Sequence, residues 1–307
     1  MSTLVERLQA KAPELGRRAI AEMYQNPFWQ ERFGANGREN SDKDSQFHIS
    51  YLVQALVASD PGVLTNYARW LQTLLVSRGM CSRHIDENFE RLARAIHDEV
   101  ADAEPALALL RAARQALIYE SGPARELMLG ADALAARVVD ALWSRQPSWF
   151  SAASSYPSIA IFESIHQAER MRCKADVLDH IAYLADAIHA DRPELFVAHA
   201  AWMKGFNARH HGQESRVRET LRALSDCLPA APGAASLGGV ASGSSPRASA
   251  RPPPRRPPLS QPPPPPVPMP ASTELAVRAQ AVLGAAFAEL AGEVEATLPP
   301  AAEGGGR

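Results

Sequence analysis

The chain has 307 residues, 46% hydrophobic and 21% charged, with 25 prolines, 18 glycines, three cysteines and a formal net charge of −2. That length and apolar content can fill two ordinary domains, while a near-neutral charge with no basic face excludes a dedicated nucleic-acid binder. Cys81, Cys173 and Cys227 are odd in number and far apart, which excludes a disulfide framework or a C-x-x-C metal site and predicts a reducing, cytoplasmic setting.

The chain opens on Thr3-Leu4-Val5-Glu6-Arg7, an amphipathic helix start rather than a secretory leader, and no later run is long enough for a membrane span. The first helix is predicted over Thr3 to Gln25 with an interruption at Pro13, and the second over Asp42 to Ala58. Asp60-Pro61 then supplies a cap and a first-turn proline for a helix ending near Gly79. Further helices are predicted from Ser82 to about Val100 and from Pro105 to Tyr119, with Ser121-Gly122-Pro123 as a joint. Ala131 to Arg145, Ile159 to Met171, Lys174 to Ala190, Pro193 to His210 and Glu214 to Leu228 follow, with an irregular stretch over Pro147 to Pro157. No segment alternates with a period of two, so the expected fold class is all-α with bundle or globin-like packing.

From Pro229 to Ser272 the chain is almost entirely Pro, Ala, Gly, Ser and Arg, a composition that buries too little to offset its chain entropy and reads as a spacer. Arg251 to Arg256 carries polyproline-ligand spacing, although a solvated tether accounts for the same composition. Thr273 to Leu298 regains helical periodicity through Leu283, Phe287, Leu290, Val294 and Leu298. This stripe is read as a docking face for a protein partner or for self-association.

A repeat organises residues 1 to 228. Asp44, His48, Tyr51 and Leu52 match Asp176, His180, Tyr183 and Leu184, all 132 residues apart, and the same register pairs Pro61 with Pro193, Trp70 with Trp202 and Tyr24 with Tyr156. Two tandem copies are therefore expected, at 1–120 and 121–228, followed by a linker at 229–271, a docking helix at 272–298 and a tail at 299–307.

Asp44/His48 and Asp176/His180 each lie four residues apart on a helix, where a carboxylate can orient an imidazole toward a metal or tetrapyrrole iron. The favoured reading is a hydrogen-bonded packing histidine. Glu163 and His166 form an E-x-x-H pattern that could join Asp176 and His180 in one metal site, but the counterpart of His166 in the first copy is Gly34. Trp70 and Trp202 read as core, with a stacking wall for a flat ligand as the alternative. Cys81 and Cys173 have no base partner, and no Gly-rich phosphate loop or nucleophile elbow is present.

The stretch Lys43 to Leu52, followed by Asp60-Pro61, Tyr67, Trp70 and Arg78-Gly79, resembles a helical domain of bacterial proteins of unassigned role, sometimes fused ahead of cobalamin-binding domains in sensory regulators. The likeness covers about residues 20 to 100 and, more weakly, 150 to 228. It implies a regulatory or ligand-associated helical module. Cobalamin binding is not implied, because Asp179-His180 is followed by Ile181-Ala182-Tyr183 without the glycine of the D-x-H-x-x-G motif.

These readings predict a non-enzymatic adaptor. Its duplicated body would recognise a protein or planar apolar ligand through Asp44, His48, Tyr51, Trp70, Asp176, His180, Tyr183 and Trp202. The alternatives are a haem or other tetrapyrrole sensor using His48 and His180, and a metal-dependent oxidase using Glu163, His166, Asp176 and His180.

Overall fold

The computed structural model describes residues 2–146, 159–211, 215–228 and 273–292. Among them every regular element is a helix. The first five are α1 (Leu4–Met23), α2 (Pro27–Ala58), α3 (Pro61–Ser77), α4 (Ser82–Glu99) and α5 (Glu104–Ala116), and α6 (Gly122–Leu129) links them to the rest. The second group is α7 (Ala131–Arg145), α8 (Ile159–Ala190), α9 (Pro193–His211), α10 (Ser215–Cys227) and α11 (Thr273–Ala291).

Local chemistry explains most boundaries. Thr3 and Glu6 close a reciprocal capping box on α1. Asn26 accepts from the Phe28 amide at 3.0 Å, and Asp60 from the Gly62 amide at 2.8 Å, each just before a first-turn proline. The expected break at Pro13 does not occur: α1 runs through it. Pro13 and Gln9, whose carbonyl loses its helical donor, both lie on the exposed side, so water satisfies the freed group and the helix continues. α2 begins earlier than expected and kinks at Gly34, where φ is 65°. The sequence predicts only a joint at Ser121-Gly122-Pro123, yet Gly122 at φ 79° turns the chain and Pro123 lies in the first turn of a short helix.

α2 and α8 both have 32 residues and their bounds stand 132 positions apart. Each ends on a left-handed non-glycine residue, Ser59 at φ 52° and Asp191 at φ 53°. In each case the following amide reaches back to seal the helix end, Asp60 to Ala55 at 3.1 Å and Arg192 to Ala187 at 2.9 Å. Packing follows the same pattern. α1 lies on α2 and α4 as α7 lies on α8 and α10, and α5 covers α2, α3 and α4 as α11 covers α8, α9 and α10.

Two apolar clusters result. One is built by α1 to α5 around Leu8, Leu15, Leu52, Leu64, Phe89 and Ile96. The other lies among α6 to α11 and takes in Ile20, Met23, Phe28, Trp29 and Cys81 from the first five helices. The halves are thus seamed by shared core.

The C-terminal helix corrects the docking expectation. Leu275, Ala279, Val282, Leu283, Ala286 and Leu290 are buried in the second cluster, with Phe287 packed on its edge. Arg218 donates to the Leu290 carbonyl at 2.8 Å, placing a cation at the negative end of α11. The proposed docking residues Leu283, Phe287 and Leu290 are therefore spent on the chain's own body, since an apolar stripe buries itself against the nearest complementary face. Val294 and Leu298 lie outside the described residues, as do the expected linker and the irregular stretch over 147–157. No described helix is long and apolar enough to cross a membrane.

Candidate functional site

His48 and His180 sit at equivalent places and do equivalent things. His48 Nδ1 meets Tyr67 Oη at 2.7 Å, and His180 Nδ1 meets His199 Nε2 at 3.0 Å, both partners lying 19 residues further along on the next helix. Tyr51 stacks on Tyr67 with ring centroids 3.9 Å apart, and Tyr183 stacks on His199 at 3.7 Å. Both histidines are buried, and burial lowers His48 to about 3 and His180 to about 4, so both are neutral.

The expected carboxylate partners do not take part. Asp44 is exposed while His48 faces inward, and Nδ1 of each histidine is held by a residue on the next helix instead. On α2 only the histidine points into the core, whereas on α8 Asp176 is half-buried and burial pushes it up to about 6. Neither of two clefts, of about 420 Å³ beside Arg83 and Ile181 and about 680 Å³ beside Tyr119 and His189, is lined by His48 or His180. The expected metal set does not assemble either, because His166 packs edge-on to Trp143 and His180 is held by His199. Glu163 lies outside the described side chains.

The two tryptophans differ. Trp202 is covered by Phe28 at 5.2 Å, by its own neighbour Phe206 and by the Arg32 guanidinium 5.0 Å over its ring. Trp70 is 58% exposed and ends a ladder of rings in which it lies 5.9 Å from Tyr67. Phe47, 59% exposed, stands one turn before Tyr51 on α2.

A polar seam that sequence reading missed joins the N-terminus of α4 to α8. Asp186, buried, accepts from the Ser82 amide at 2.7 Å, from the Ser82 hydroxyl and from Tyr119 Oη at 2.6 Å. A carboxylate at a helix N-terminus receives backbone donors and the positive end of the dipole. Burial still outweighs these bonds and pushes Asp186 up to about 6. Arg83 Nε donates to Asp179 Oδ1 at 2.8 Å, and Tyr183 Oη donates to the Gly79 carbonyl at 2.9 Å. Burial lifts Asp179 to about 7 despite Arg83.

Beside these bonds lie Cys81 and His84. A Cys81 Sγ, a His84 nitrogen and an Asp179 oxygen all fall within 4.8 Å of one another. His84 is 1% exposed and both of its ring nitrogens lack a hydrogen-bond partner. Cys81-x-x-His84 was legible as a spacing in the sequence; its convergence with Asp179, nearly a hundred positions away, was not.

No family model matches the chain, and neither a curated protein nor a solved structure matches it.

Proposed function

We propose that the chain is a non-enzymatic regulatory or adaptor protein built from two related helical units, in which the first unit docks an apolar helix of a protein partner. One observation carries this reading. On α8, Asp179, Ala182, Tyr183 and Asp186 face α4 and form the seam between units; 132 positions earlier on α2, Phe47, Ser50, Tyr51 and Gln54 form a face that is open. The surface one unit uses to hold its neighbour is vacant on the other. It has Phe47 in place of Asp179 and the uncharged Gln54 in place of Asp186, and Trp70 extends it where Trp202 is covered.

The chemistry of that face favours a partner presenting apolar side chains rather than charge. Exposed aromatic clusters of this kind mark interaction surfaces, and tryptophan and tyrosine anchors dominate such interfaces. The neutral, internally bonded histidines support a packing role, in keeping with a module that binds rather than reacts. The unpaired thiols favour a reducing compartment such as the cytoplasm.

The test is photo-crosslinking in the source cells from a probe at position 70, with Leu129, also exposed at 58%, as the control site. The expected result is one discrete adduct at position 70 that Phe47→Glu removes while the melting temperature holds. Adducts equal at both sites, or a position-70 adduct untouched by Phe47→Glu, would sink the reading.

A further inference from the structure

We propose that Cys81, His84 and Asp179 form a binding site for a zinc-class divalent transition metal that clasps α4 to α8. The donor set is one thiol, one imidazole and one carboxylate, the combination that suits a borderline-soft divalent ion. Cys81 is the N-cap of α4 and His84 its third helical residue, a spacing that puts both on one side of the first turn. Asp179 comes from α8, so the three ligands span the seam between the units.

The site has a built character beyond proximity. His84 is enclosed by Phe28 at 5.2 Å, Trp29 at 4.8 Å and Tyr183 at 5.6 Å. An imidazole buried among rings with neither nitrogen bonded forfeits its hydration without recompense, a cost that a metal–nitrogen bond would remove. The Cys81 side chain makes no cap hydrogen bond and the residue is wholly buried, while the Arg83 and His84 amides at the start of α4 aim at its sulfur and favour the thiolate, the form that binds a cation. Arg83 Nε fixes Asp179 through Oδ1, as outer partners hold metal-ligating carboxylates in place. A tetrahedral zinc with bonds of about 2.0–2.3 Å sets its donors about 3.3–3.8 Å apart. The 4.8 Å spread therefore closes with side-chain movements of about 1 Å. Asp179 is half-buried, its side chain 27% exposed, and is the ligand nearest to solvent. Metal binding expels the Cys81 thiol proton to water, and a water molecule completes the fourth position.

The test uses the full chain, stripped with chelator and titrated with Co2+ alone, then with Zn2+ in competition. The expected result is one equivalent of Co2+ giving a thiolate-to-cobalt charge-transfer band and intense visible bands, both displaced by Zn2+. Zn2+ should also raise the melting temperature by mass action. Cys81→Ser should abolish the charge-transfer band, and Asp179→Asn, an isosteric change at a half-buried position, should weaken binding at least tenfold. Cys227→Ser should change neither. A spectrum that stays that of hydrated cobalt, with the wild-type helicity intact, would overturn the proposal and leave His84 donating to the Trp29 ring instead. A charge-transfer band that survives Cys81→Ser would overturn it equally.

Discussion

Truncating Leu283 to alanine tests whether α11 belongs to the body. Leu283 is wholly buried beside Leu275 and Leu290 in the second cluster. Leucine-to-alanine changes at such sites cost about 2–5 kcal/mol, the transfer loss plus the cavity left behind. Taking about 3 kcal/mol, and about 2–4 °C per kcal/mol for a body of this size, the melting temperature should fall by about 6–12 °C. The opposing term is the connection: 45 residues separate Cys227 from Thr273, whereas four separate Glu99 from Glu104. In the limit of a free chain, the longer loop costs only about 2 kcal/mol more to close, less than one well-buried leucine returns. Circular dichroism melts of Leu283→Ala against Val277→Ala, at a position 55% exposed, provide the comparison, and the Val277 variant should stay within about 0.5 kcal/mol of wild type. If both variants melt with the wild type, α11 contributes nothing to the body and the packing argument fails.

Trp70→Ala should leave stability within about 0.5 kcal/mol, while Trp202→Ala, wedged between Phe28 and Phe206, should cost about 3 kcal/mol; equal effects in urea unfolding would refute the asymmetry between the two faces. His48→Gln should destabilise by about 1–3 kcal/mol at neutral pH by disrupting the buried bond to Tyr67. His48 sits at about 3 in the folded chain against an ordinary 6.5, so the unfolded chain takes the proton first and this contribution, complete above 6.5, is lost as pH falls toward 3. The gap between wild type and His48→Gln should accordingly narrow at pH 4. Asp186 runs the other way: raised to about 6 from 3.8, it stabilises most below 3.8 and loses that contribution as pH rises through 6. The advantage of wild type over Asp186→Asn should therefore be larger at pH 4 than at pH 7, and a gap constant with pH would show that Asp186 titrates normally.

How much was legible in the sequence depends on the range of the interaction. Caps and turns act over a few residues, so Asp60-Pro61 and the start at Thr3 could be read directly, although the same cap chemistry at Asn26-Pro27 was passed over. The helical class was legible because apolar periodicity repeats the same demand many times over, and the 132-residue spacing read in the sequence recurs in the bounds of α2 and α8. Pro13 was misread because its cost depends on whether the freed Gln9 carbonyl meets water, which no local pattern states. The pairing of His48 with Tyr67 and of His180 with His199 was hidden for another reason. The second member of the pair changes type between units, so only its spacing is kept. The seam was least legible, because Ser82, Asp186 and Tyr119 are separated by 37 positions or more and meet only once α4 packs on α8.

The seam also separates the α8 face from its α2 counterpart. Where α8 meets α4, one carboxylate is buried and one half-buried, and each has a specific donor: Asp186 has Ser82 and Tyr119, and Asp179 has Arg83. Burying such groups is costly unless their bonds are made in one arrangement, so a slipped α8 would strand both carboxylates. The equivalent α2 face carries Phe47 and Gln54 at the positions of Asp179 and Asp186, and neither residue imposes a register on what it touches. Apolar contact tolerates a partner approaching at several angles, whereas the aspartates tolerate one. The proposed docking role rests on this difference, among others, between the α2 and α8 faces.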